Sequence, residues 1–108
     1  MIIVYVGQTY EVRVTTYAPD SHLPKDPTTI ALSTYQKIAG VWTAIETALT
    51  FDYSDGIGIK KRYHYFDPAK YTKEEIIRLI VTWTIKLEDG TSVNDLNILD
   101  VEQKKASG

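Results

Sequence analysis

A chain of 108 residues, 44% hydrophobic and 24% charged, has the length and make-up of one folded domain with a core of its own. Its net charge of −2 gives no field that would draw nucleic acid or an anionic membrane from a distance. The absence of cysteine excludes a disulfide framework and thiolate zinc sites, and no apolar run approaches the roughly 20 residues that a bilayer requires.

The opening Ile2-Ile3-Val4-Tyr5-Val6 has no basic flank and no small-residue cleavage site, so it reads as a first strand and not as a leader. After a break at Gly7-Gln8, Tyr10, Val12 and Val14 alternate with Glu11, Arg13 and Thr15 in a second strand reaching about Tyr17. The segment Ala18 to Pro27 carries three prolines and two aspartates, which favour turns and cannot continue a ladder, so it is a surface loop. Strand composition resumes from Thr28 to Ile38, and Ala39-Gly40 offers a turn. Residues 41–53 fit both a period-two face (Val41, Thr43, Ile45, Thr47, Leu49, Phe51, Tyr53) and a helical stripe (Ile38, Val41, Trp42, Ile45, Ala48, Leu49); Gly40 and the threonines favour the strand.

Ser54-Asp55-Gly56 is the next turn. Ile57, Ile59, Tyr63 and Tyr65 then share one phase, and Lys60, Arg62 and His64 share the other. Asp67 to Glu75 is a polar loop in which Thr72-x-x-Glu75 matches a capping box, the mark of a short helical turn. The longest apolar run, Ile76 to Leu87, alternates Ile77, Leu79, Val81, Trp83, Ile85 and Leu87 with Arg78, Thr82, Thr84 and Lys86 before the turn at Asp89-Gly90. A last strand runs through Leu96, Ile98 and Val101. About seven strands without a long helix imply an all-β, antiparallel two-sheet sandwich over residues 1–102, with 103–108 as a flexible tail. The core expected from phase is Val12, Val14, Ile30, Leu32, Tyr63, Tyr65, Leu79, Val81, Trp83 and Ile85.

Catalytic signals are weak. The two histidines, His22 in the proline loop and His64 in a strand, match neither a metal spacing nor a nucleophile motif. Asp52 to Gly56 lacks the ligand spacing of a calcium loop, and Gly56-x-Gly58 lacks the third glycine of a phosphate cradle. Within Lys60 to Phe66, cations and rings interleave as on surfaces that stack single-stranded nucleic acid. The phase assigned above places the tyrosines inside and the cations outside, which argues against that use. No catalytic residue, cofactor, metal or small-molecule cavity is expected.

Val6-Gly7-Gln8-Thr9-Tyr10-Glu11-Val12-Arg13-Val14, then Asp26-Pro27-Thr28-Thr29-Ile30, Gly56 ahead of Tyr63-x-Tyr65, and Ile80-Val81-Thr82-Trp83-Thr84 before Asp89-Gly90 resemble the immunoglobulin-like modules encoded among tailed-phage and archaeal-virus structural genes. The likeness spans about residues 6–101. It implies an immunoglobulin-like sandwich and a non-enzymatic virion protein that docks to a capsid or head–tail assembly, with other virion proteins or copies of itself as partners. An adhesion or spacer domain of a bacterial surface or secreted protein is the alternative, and a single-stranded nucleic-acid-binding β-protein stands third. Such modules act through surfaces, and the residues expected on this one are Ile2, Val4 and Val6 of the first strand, Asp20 and His22 of the proline loop, Lys60, Arg62 and His64 of the fifth strand, and Lys70 and Tyr71. The first strand, apolar on both phases, is expected to be covered by the domain or by a neighbour.

Overall fold

Alternation with a period of two runs through most of the chain, and the backbone follows it. The computed structural model describes residues 2–73 and 75–105. They form eight strands and no helix: β1 (Ile2–Val6), β2 (Thr9–Thr15), β3 (Thr29–Ile38), β4 (Val41–Thr50), β5 (Tyr53–Gly56), β6 (Ile59–Tyr65), β7 (Ile76–Lys86) and β8 (Ser92–Lys105). The strands make two sheets, one of five in the order β1-β8-β7-β3-β4 and one of three in the order β2-β6-β5. All neighbours are antiparallel except β1, which runs parallel to the end of β8, from Ile2 beside Val101 to Val6 beside Lys105.

Residues 41–50 are a strand, so the helical alternative falls away. The count is eight where the sequence suggests about seven, because Tyr53–Gly56 pairs with β6 in the other sheet and is no continuation of β4. The expected tail is also shorter, since Gln103, Lys104 and Lys105 still pair with Val4, Tyr5 and Val6; 106–108 lie outside the described residues. In the Asp67–Glu75 loop the amides of Lys70 and Tyr71 donate to the Asp67 carbonyl. The helical turn expected over Thr72–Glu75 includes Glu74, outside the described residues.

The two sheets share one core. Val14 and Phe66 meet Leu32, Ile77, Leu79, Val81 and Val101 there, with Val4 and Val6 closing the β1 end. Leu32, Thr34 and Gln36 face inward from β3, and Ile77, Leu79, Val81 and Ile85 from β7, as alternation demands. Val12, Ile30 and Trp83 pack against this core half-buried.

The phase of β6 is opposite to that expected. Tyr63 and Tyr65 are about half exposed, at 48% and 49%, whereas His64 is 1% exposed. Ile57, taken above as a marker of the inner phase, sits at a turn tip with 69% of its surface exposed. Ile57 thus shares its parity with the exposed Tyr63 and Tyr65, and that parity is the outer one. Phe66 is what sets the phase: fully buried, it stands edge-on to Tyr10 at 5.9 Å and to His64 at 4.9 Å, and burying its ring outweighs exposing two tyrosines whose hydroxyls tolerate water.

The proline loop is pinned and not free. Asp26 accepts the Gly58 amide at 2.8 Å, and Thr16, fully buried, donates its hydroxyl to the Lys25 carbonyl at 2.6 Å. Asp20 and His22 remain exposed on its outer side.

Candidate interaction surface

Of the residues expected at the surface, Val4, Val6, His64 and Tyr71 are core residues. Ile2, Asp20, His22 and Lys70 are exposed, and Lys60 and Arg62 are partly covered. The structure brings His64, Arg62, Lys70 and Tyr71 together around Glu46, a residue to which sequence periodicity assigns nothing. Glu46 reaches the inner face because β4 is irregular: register shifts flank the Thr34–Glu46 pair, and Ala48 takes a φ of 54°.

The network closes on itself. The Tyr71 hydroxyl donates to Glu46 Oε1 at 2.6 Å, the Glu46 amide donates to Thr34 Oγ1 at 3.2 Å, and Thr34 Oγ1 lies 2.8 Å from the Tyr71 oxygen. Arg62 Nε donates to His64 Nδ1 at 3.2 Å, so the proton of a neutral His64 sits on Nε2, 3.0 Å from the Tyr71 oxygen. That oxygen then accepts from His64 and Thr34 while donating to Glu46, which uses its full capacity. Burial lowers the His64 pKa below its ordinary value; Glu46 opposes this, and the Arg62 and Lys70 cations add to it. Burial, with the hydrogen bond to Glu46, raises that of Tyr71. A tyrosine held protonated and a histidine held neutral, both enclosed by Phe66 and the core, are a polar clamp between the sheets. Among the described residues no group of three or more His, Cys, Asp or Glu could hold a metal ion.

The outer face of the three-stranded sheet is different in kind. Tyr53 and Tyr63 meet edge to face at 5.1 Å, with Tyr65 further along the same strand. Lys61 lies 5.4 Å from the Tyr63 ring. Asp55 joins Lys61 at 3.0 Å to Arg13 at 2.6 Å, and Arg13 also holds Glu11 at 2.9 Å. The hydrogen bond from Lys61 leads in holding the Asp55 carboxyl below its usual range. Lys61 shares the parity of Tyr63 and Tyr65, as phase requires, but that face is the outer one, while Lys60, Arg62 and His64 keep to the opposite face. Charge weighs against nucleic acid here instead: Glu11 and Asp55 neutralise the two cations.

A third surface lies along the β7–β8 hairpin. Asn94 to Leu99 are exposed in succession, with the apolar Leu96, Ile98 and Leu99 among them. An open groove of about 380 Å³, lined by Thr29, Thr82, Trp83, Thr84, Asn94, Asp95 and Leu96, is larger than the little concave volume expected, though it is a surface groove and not an enclosed cavity. On the rest of that sheet face, the Arg78 guanidinium stacks 4.1 Å from the Trp42 ring and holds Asp100 through two hydrogen bonds, at 2.9 and 3.0 Å.

The tyrosine face could be found from sequence only with the β6 phase in hand, and Phe66 is the one residue that signals it. The Glu46 network offered no signal at all, since its members are scattered from Thr34 to Tyr71. Comparison with family models, with curated proteins and with solved structures finds no match. No helix of the described residues is long and apolar enough to cross a membrane.

Proposed function

We propose that this chain is a non-enzymatic virion module with an immunoglobulin-like sandwich, which docks to a capsid or head–tail assembly through the tyrosine face of its smaller sheet. The strand order supports the fold reading. Taking β2, β6 and β5 as the B, E and D strands, the larger sheet follows as G, F, C and an added C′ strand, with β1 as a first strand laid along G. Fold alone does not give a role. The docking reading rests on one observation: Tyr53, Tyr63 and Tyr65 stand exposed on a hydrogen-bonded sheet with Arg13 and Lys61 already fixed by Asp55. Tyrosine and arginine are the residues that dominate protein interfaces, and a rigid platform has little side-chain freedom left to lose on binding.

The experiment is co-sedimentation of the chain with assembled capsid and head–tail particles. The intact chain is expected in the particle fraction, and the double variant Tyr63→Ala/Tyr65→Ala is expected to leave it while still folding. A chain that stays at the top of the gradient, or a double variant that sediments as well as the parent, would remove this reading.

A further inference from the structure

The larger sheet has a gap in its edge. β1 covers β8 only from Val101 to Lys105, and among the described residues no strand pairs with that side of β8 from Ser92 to Asp100. Every other edge carries a protective feature. Among them, β4 is broken by register shifts, β5 has four residues, β2 presents Glu11 and Arg13, and in β1 the Tyr5 amide is capped by the Tyr10 hydroxyl at 2.9 Å. The open part of β8, Ser92-Val93-Asn94-Asp95-Leu96-Asn97-Ile98-Leu99-Asp100, has no lysine, arginine, proline or bulge, and its pairing with β7 is unbroken from Ser92 to Asp100. Both of its faces are bare, because Asn94 to Leu99 are all exposed.

We infer that this edge is an interface between two copies of the chain, in which Ser92–Asp100 pairs antiparallel with the same segment of the second copy about a two-fold axis at Leu96. Length, side-chain chemistry and charge select that occupant and that register. With Leu96 opposite its own counterpart, Ser92 stands opposite Asp100, so the paired segment fills the gap from end to end. In this register Thr91 of the second copy falls at Val101, where β1 begins with Ile2, so the second copy's chain leaves the shared sheet at its Asp89-Gly90 turn. Val93 faces Leu99 on one side of the sheet, and Leu96 meets Leu96 on the other. Each carboxylate falls opposite an uncharged donor, Asp95 opposite the Asn97 amide and Asp100 opposite the Ser92 hydroxyl, so no like charges are opposed. A two-fold pairing of identical edges closes on itself and uses up the open part of β8 in both copies, leaving as outer edges only those already protected. The joined sheets make one sheet of ten strands, twice the five of a single copy, and both tyrosine faces remain free. This inference is independent of the docking reading, which the Tyr63 and Tyr65 variants test separately.

Analytical ultracentrifugation of the full chain from micromolar to millimolar concentration is expected to show the weight-average mass rising towards double. Leu96→Lys, with its melting temperature unchanged, is expected to stay at the monomer mass throughout. The chain has no cysteine, so single cysteines report the register. Leu96→Cys places two thiols across the axis within disulfide reach, whereas two copies of Asn94→Cys are offset by four residues, roughly 13 Å along the strands. Mild oxidation is expected to link Leu96→Cys into a dimer and to leave Asn94→Cys unlinked. A parent that remains monomeric at millimolar concentration overturns the inference and leaves the edge to a strand of some other protein. A dimer that survives Leu96→Lys, or that links both cysteine variants equally, overturns it in favour of another surface.

Discussion

Enclosed by Phe66, Tyr71 and the sheet interior, His64 has no water to stabilise a charge, and Arg62 points a cation at its Nδ1. Its pKa is accordingly below the ordinary value of 6.5. The unfolded chain therefore binds a proton here that the folded chain refuses. Stability from this group is complete above the unfolded value and is lost as pH falls from about 6.5 towards the depressed folded pKa. The melting temperature is expected to fall between pH 7.5 and pH 5.5, windows set on either side of the unfolded value, and His64→Gln is expected to flatten that slope. An unchanged slope in the variant would assign the pH dependence to another group. Tyr71→Phe removes the hydroxyl to which His64 and Thr34 donate and which itself donates to Glu46. Leaving those buried groups unpaired should cost about 1–3 kcal/mol in chemical denaturation. None of this was visible in the sequence. Thr34 and Tyr71 are 37 positions apart, and a threonine, a glutamate and a histidine each read as surface residues until a fold brings them together.

At the scale of elements, alternation located β2, β3 and β7 and the inward residues Val14, Leu32, Leu79, Val81 and Ile85, because their apolar phase is unbroken. It failed in β4 and in β6. In β4 the register shifts move Glu46 inward, and Ile57, an apolar residue exposed at the turn between β5 and β6, marks the outer parity of β6 and not the inner one. The turn at Gly58 also ties the proline loop to β6, and of the described glycines it is the most closely surrounded. A Cβ there would lie 2.6 Å from the Thr16 carbonyl oxygen and 2.9 Å from the Lys25 nitrogen, with φ at +75°. Gly90, at φ +89°, has nothing within 4 Å of the same atom. Gly90→Ala therefore meets backbone strain alone, of order 1 kcal/mol. Gly58→Ala meets strain and a clash with backbone on two sides, and it should cost clearly more, at least about 2–3 kcal/mol. Urea titration of the two variants against the parent checks the order; equal losses would mean that the loop yields to the methyl group.

As a whole the molecule is longer than a compact chain of its size. Its radius of gyration is 15.3 Å and its extents are 52 × 28 × 21 Å, against about 13 Å expected for a compact globule of this length. Along the edge of its larger sheet Asn94 to Leu99 of β8 have, among the described residues, no strand on their outer side. The sequence disclosed the apolar run of β7 but not that its partner would outreach the second sheet, because sheet size depends on which strands meet and not on their local pattern. The first strand governs how much of that partner is covered. β1 buries Val4 and Val6 and occupies β8 from Val101 to Lys105. Deleting residues 1–6 removes two core side chains worth about 1.5–3 kcal/mol each, a large part of a typical margin of 5–15 kcal/mol. The same deletion lengthens the open edge from Ser92–Asp100 to the whole of β8, whose 14 residues then lack a partner on that side. The truncated chain should melt well below the parent and associate more strongly, into species beyond a dimer, since a longer edge also admits registers that β1 now blocks. Scanning calorimetry and ultracentrifugation, run on both chains at matched concentration, check the two effects separately. A truncated chain that melts with the parent would place β1 outside the cooperative core, and one that sediments as a monomer would show that the uncovered edge of β8 does not recruit strands.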